Sequence, residues 1–178
     1  MGKLLERAMS NLGIYGDKRT DTGVSIIHHV TEMADLLEGM GYREDYLVTA
    51  LFSYALDNNS ITQKDLAEYG SSVVSAVVIL SNEYVKRNDA QYLEDIQASP
   101  IALAVKNADL ICRLREAIMS GNIRLMRTET DKIEYLYKNQ ISNAVDYMIE
   151  YIKGNKPEMA FILGHDFFYP YHHDEPER

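Results

Sequence analysis

Apolar residues return at helical spacing along almost the whole chain, and nowhere do they alternate with polar residues over the length of a strand. A chain patterned in this way must bury one face of each helix against other helices. The expectation is therefore an all-α fold, a compact single-domain helical bundle with short loops. Residues 3–12 read as a short amphipathic start, and the glycine- and charge-rich stretch 13–23 as a loop. Ile26, Val30, Met33 and Leu37 mark a long helix that Gly39 and Gly41 end. Tyr46, Leu47, Ala50, Leu51 and Tyr54 mark a second over about 44–56, broken by Asp57-Asn58-Asn59-Ser60. Thr62 and Asp65 have capping-box spacing for a short helix closed by Gly70. The β-branched run 71–84 could be a strand, but no partner strand exists for it, so a helix is expected. Ser99-Pro100 predicts a helix start with an N-cap and proline at N1, leading into about five turns. A last long helix is expected over 128–153, after a loop at 121–128. Residues 1–156 form the predicted helical domain, and 157–178 a short helix or strap with a polar tail.

Composition narrows the setting. A chain of 178 residues fits one domain, with 46% apolar and 25% charged residues. Cys112 is the lone cysteine, and MGKLLERAMSNLG has no signal-peptide h-region, so a reducing cytoplasm is expected. No apolar run approaches the ~18 residues of a membrane span. The net charge of −9 argues against DNA as a partner, because cation–phosphate contacts dominate that binding. It leaves room for a local basic pocket and a small anion.

Two residues stand out by position. His29 shares a helical stripe with Ser25, Ile26, Met33 and Leu36 and so points inward, whereas His28 falls with Thr31, Glu32 and Asp35 and points outward. An inward histidine is either a hydrogen-bonded core residue or a ligand. Asp109 interrupts an apolar stripe with Ala102, Val105 and Cys112, and a buried carboxylate requires a partner, a cation or a raised pKa. An inward His and an inward Asp on separate helices suit a site between helices.

The order HHVTEMADLLEGMG, ALFSYALDNNSIT, EYGSSVVSAVVILS, AVKNADLICRLRE resembles the HD-domain phosphohydrolases. The closest likeness is to the ppGpp hydrolase domains of the RelA/SpoT type and their small single-domain relatives, over about residues 13–150. The resemblance implies a helical domain that holds a divalent metal, usually manganese, and activates a water against a pyrophosphate. It places His29 and Asp109 at the first and last metal-ligand positions. Ser53 and Tyr54 stand where the family's His-Asp pair would be. A neutral serine is a feeble ligand, and a tyrosine must first lose a proton with an ordinary pKa near 10. Asp57 and Asn58 match the family's catalytic Glu-Asp pair, and Asn58 cannot act as a base. Asp57 and Asn58 also read simply as part of a turn.

Candidate ligand-binding cations are Lys18 and Arg19 in the first loop and Lys106, Arg113 and Arg115 on the later helix. Lys106 and Arg115 match family positions, while Arg113 replaces a common asparagine. Tyr135 and Tyr137 could stack on a base. His165, Asp166, His172, His173 and Asp174 in the tail could supply missing ligands. Three functions follow as expectations. The first is a degenerate domain with lost or reduced pyrophosphohydrolase activity that binds a nucleotide or another small phosphorylated molecule. The second is an active phosphohydrolase with a manganese cofactor and non-standard ligands; the third is a ligand-free protein-interaction module with no cofactor. Homo-oligomerisation is compatible with each.

Overall fold

The computed structural model describes residues 2–138 and 143–157. Among these residues there are ten α-helices and no strand, so the chain is all-α. They are α1 (Lys3–Ser10), α2 (Ile26–Gly39), α3 (Glu44–Phe52), α4 (Gln63–Leu66), α5 (Ser71–Leu80), α6 (Asn82–Val85), α7 (Asp89–Ala98), α8 (Pro100–Met119), α9 (Ile123–Lys138) and α10 (Asn143–Asn155). None is long and apolar enough to cross a membrane.

Helix α8 is the axis of the bundle, with α2, α3, α5, α7, α9 and α10 all packed against it. Its start follows from the sequence: the Ser99 hydroxyl accepts the Ala102 N–H at 3.2 Å, and Pro100 at N1 has no N–H to satisfy. Neighbours on so many sides bury Ala104, Val105, Ala108, Leu110, Ile111 and Leu114. They bury Asp109, Arg113, Arg115 and Glu116 as well. Each apolar side chain of the size of Leu110 or Ile111 contributes about 1.5–3 kcal/mol by leaving water. The polar ones must find partners within the bundle.

Helices α2 and α3 form a hairpin whose corner is Gly41, at φ +81, a conformation that glycine adopts without a Cβ penalty. The run 71–80 is helical: Val73, Ala76, Val77 and Leu80 are buried at i, i+3, i+4, i+7, the spacing of one helix face. The Thr62–Asp65 capping box forms as the spacing predicts.

The second helix is shorter than its pattern suggests. It ends at Phe52, and Ser53 to Asn59 continue as turns, with Ser53 Oγ donating to the Ala50 carbonyl at 2.8 Å and Asn59 at φ +50. Several helical segments go against or beyond the sequence reading: a 3₁₀ turn at Leu12–Tyr15 enters the expected loop at 13–23, and the expected helix over 71–84 divides at Ser81 into α5 and α6. The expected loop at 121–128 is helical from Ile123, because the Asn122 side chain accepts the N–H groups of Arg124 and Leu125 at 3.1 and 3.2 Å. Helix α7 has no counterpart in the apolar pattern; the Asn88 side chain caps it by accepting the Gln91 N–H at 3.0 Å. Two helices, α9 and α10, occupy the range read as one. The C-terminal strap, the tail histidines and the Tyr137 side chain lie outside the described residues.

Because α8 organises the bundle, its cap has a measurable effect. Ser99→Ala is expected to lower the unfolding free energy by about 1 kcal/mol in urea denaturation, with Ser99→Asn close to the parent.

Candidate functional site

Helix α2 brings His29, the turn after α3 brings Tyr54, and α8 brings Lys106, Asp109, Arg113 and Glu116 to one place. His29 is completely buried, with Nδ1 2.6 Å from Glu116 Oε1 and Nε2 3.0 Å from Asp109 Oδ1. The Tyr54 hydroxyl donates to the same Asp109 oxygen at 2.6 Å and stands 3.4 Å from His29 Nε2, the two rings meeting edge to face. Lys106 Nζ donates to the other Asp109 oxygen at 2.8 Å. Asp109 is thus a buried carboxylate with both oxygens engaged.

A second layer lies outside this one. Arg113 Nη1 donates to the Tyr54 hydroxyl at 3.1 Å, while Nε and Nη2 reach the two carboxylate oxygens of Glu129 at 3.0 and 3.3 Å. Glu129, on α9, is fully buried and also accepts from Lys132 Nζ at 2.7 Å. Asp21, from the loop before α2, accepts from Arg113 Nη2 and lies 3.7 Å from Lys132. Thr22, next to it, donates to Glu116 Oε2. Four cations, His29, Lys106, Arg113 and Lys132, therefore face four anions, Asp21, Asp109, Glu116 and Glu129. This balance allows the charges to be buried, since an unpaired ion in such a place costs several kcal/mol.

The charge states follow from the contacts. Burial opposes a charge on His29, but the hydrogen bonds to Asp109 and Glu116 outweigh it and push its pKa up to about 9. The ring is then an imidazolium that donates from both nitrogens at neutral pH. Burial would raise the pKa of Asp109, but Lys106, His29 and Arg113 hold it well below the usual carboxylate range. Burial and the Asp109 charge push the Tyr54 phenol up, so it stays protonated.

A divalent metal at this place needs a free lone pair on His29, free oxygens on Asp109 and further anionic donors. The residues present do not fit it. His29 Nε2 faces Asp109 and a hydroxyl, both Asp109 oxygens are taken, and Lys106 and Arg113 add positive charge. Ser53 lines the cleft but donates back to its own helix. Among the described residues, no group of three or more His, Cys, Asp or Glu side chains is placed to hold a metal ion.

The layers border a cleft of about 420 Å³. Met33, Leu80, Val105 and Leu110 give it apolar walls, and Tyr54 and Tyr92 add aromatic ones. Arg113, Lys132 and Asp21 line it from α8, α9 and the loop, while Asp57, Asn82 and Glu83 line it from the turn after α3 and from α6. Asp57 accepts the Tyr84 N–H at 2.8 Å, and burial, with the Glu83 charge, pushes its carboxyl up. Asn58 donates to the Tyr54 carbonyl at 2.9 Å and holds the turn.

Of the five candidate ligand-binding cations, the structure brings Lys106 and Arg113 into the cleft. Lys18 caps the Asn58 carbonyl and the Ser60 hydroxyl at 2.5 and 2.9 Å, and Arg19 donates to Gly23 in its own loop at 2.8 Å. Arg115 pairs with Glu32 in a separate hollow of about 170 Å³ between α2, α8 and α10. Exposed Tyr135 does not line the cleft. Four members of the network, Glu116, Glu129, Lys132 and Asp21, were not anticipated. Glu116 was within reach, since it lies two turns from Asp109 on the same face of α8. Glu129 and Lys132 lie within the helix expected over 128–153, where the pattern does not single them out from the other charged residues. Nothing in the loop sequence singles out Asp21.

Compared with known proteins, the chain matches no family model and no curated protein.

The His29 charge makes stability pH-dependent. A folded-state pKa raised from the ordinary 6.5 to about 9 gives a contribution that is fully present below pH 6.5 and is lost as pH rises through 9. It amounts to a few kcal/mol on the order expected for such a shift. The melting temperature should fall between pH 6.5 and 10, and the fall should be shallower in His29→Asn.

Proposed function

We propose that this chain is a degenerate HD-type domain in which an internal ion-pair network stands in for the metal centre. It has no metal-dependent pyrophosphohydrolase activity, and its cleft binds a small phosphorylated molecule, a nucleotide being the leading class. The resemblance of the four sequence segments supplies the HD reading, and the all-α bundle that joins His29 to Asp109 agrees with it. The observation that carries the loss of catalysis is the Tyr54 hydroxyl, seated against both surviving ligand positions with Arg113 behind it.

Charge explains why the replacement is coherent. Without an ion, His29 and Asp109 would leave a desolvated carboxylate uncompensated. The proton on His29, the Lys106 ammonium and the Arg113 guanidinium supply that compensation from the chain itself. The cleft keeps features that suit a phosphorylated ligand: Arg113 and Lys132 for the phosphate, Tyr92 and apolar walls for a ring, and Asp57, Asn82 and Glu83 for N–H donors. Asp57 has no metal-bound water to act on, and its role here is recognition. A cytoplasmic setting, where such ligands occur, is compatible with Cys112 as a lone, buried cysteine.

Elemental analysis of purified protein, with a pyrophosphate-release assay on ppGpp in added manganese, tests the first half. Sub-stoichiometric metal and no release are expected. Stoichiometric manganese, zinc or iron that disappears in His29→Ala would overturn it. For the second half, guanine nucleotides should raise the melting temperature by mass action, and no shift with any nucleotide or sugar phosphate would favour an interaction module instead.

A further inference from the structure

Arg113 and Lys132 share one buried anion, Glu129, which binds both from the interior side. One carboxylate cannot neutralise two cations. The remaining charge is met by Asp21, which contacts Arg113 and approaches Lys132 from the loop, with 58% of its side chain exposed to solvent. Arg113 and Lys132 have different fates without it: Arg113 keeps Glu129 and Tyr54, and Lys132 keeps Glu129, so the scaffold of the site stays assembled. What opens is an anion position on the cleft side of the two cations.

From this geometry we infer that Asp21 is an internal competitor, occupying the position that a ligand phosphate takes, and that binding requires the Asp21 side chain to swing out into solvent. This rests on the phosphorylated-ligand reading above and adds its regulation. The loop is built to let the side chain move while its backbone stays. Thr20 N–H donates to Val24 at 2.8 Å, Gly23 N–H to Thr20 at 2.9 Å, and Thr22 anchors the turn to Glu116. Rotation about the Asp21 side-chain bonds therefore exchanges one carboxylate for one phosphate without unfolding the loop. A site held by its own anion most of the time binds ligand more weakly by the fraction of time it is free. An occupancy of about nine-tenths gives a tenfold penalty.

The experiment is isothermal titration of the full chain with inorganic pyrophosphate at low salt, comparing the parent with Asp21→Asn and Asp21→Ser. Both variants should bind about tenfold more tightly than the parent, the release from self-competition. Adding Lys132→Gln to Asp21→Asn should return the affinity to parental strength or below. Parental binding that neither Asp21 variant strengthens overturns the competitor role and leaves the ligand reading standing. Absence of pyrophosphate binding in the parent and both variants, with melting curves showing all three folded, overturns both.

Discussion

A single buried carboxylate organises this protein. Asp109 sits at the middle of the most enclosed helix, and a carboxylate there is tolerable only if positive charge and hydrogen-bond donors come to it. They come from three directions: His29 from α2, Tyr54 from the turn after α3, and Lys106 from one turn back on α8. Each donor fixes the element that carries it, so the requirements of one anion set how α2, α3 and α8 meet. The early end of α3 at Phe52 belongs to the same arrangement, since Tyr54 reaches Asp109 from a turn and not from a regular helix.

The outer layer extends the same logic toward solvent. Tyr54 passes the Asp109 site to Arg113, Arg113 passes it to Glu129, and Glu129 passes it to Lys132 and the loop. Polar chains of this kind hold a unique geometry because an unsatisfied member is costly. Removing one side of a buried pair costs about 3–5 kcal/mol, whereas an exposed pair contributes about 0–1 kcal/mol. The gradient from Glu129, fully buried, to Asp21, more than half exposed, therefore runs from structural necessity to an exchangeable contact. The chain's net charge of −9 does not extend to this network, which is balanced in itself.

The sequence made the helical class legible, because burial of helix faces leaves its period in the pattern: α2, α5 and α8 all carry it, and the Ser99-Pro100 and Thr62–Asp65 caps mark the starts of α8 and α4 in side-chain chemistry. Asn88 and Asn122 are caps of the same kind: the stretch that becomes α7 has little apolar periodicity and carries no assignment in the pattern, while the expected loop at 121–128 overlooks the cap that Asn122 provides. At the site, inward position identified His29 and Asp109, since each is polar on an apolar face. Arg113 and Lys106 could be named as cations, but whether a cation meets a ligand or a neighbouring acid depends on tertiary neighbours. Arg115, two residues after Arg113, turns to Glu32 on another face of α8, and Lys18 is spent on holding the Asn58 turn. Long-range pairs such as Arg113 with Asp21 leave no periodic trace.

His29 is either a doubly protonated ring bound by two carboxylates or a neutral ring with a lone pair for a metal. Nitrogen-15 NMR of the histidine rings reads this directly. At pH 7, His29 should show both ring nitrogens protonated, should keep that signature when excess zinc or magnesium is added, and should lose it only as the pH rises through about 9. A neutral tautomer at pH 7, with one unprotonated nitrogen that shifts on adding zinc, would contradict the proposal that an ion-pair network stands in for a metal centre.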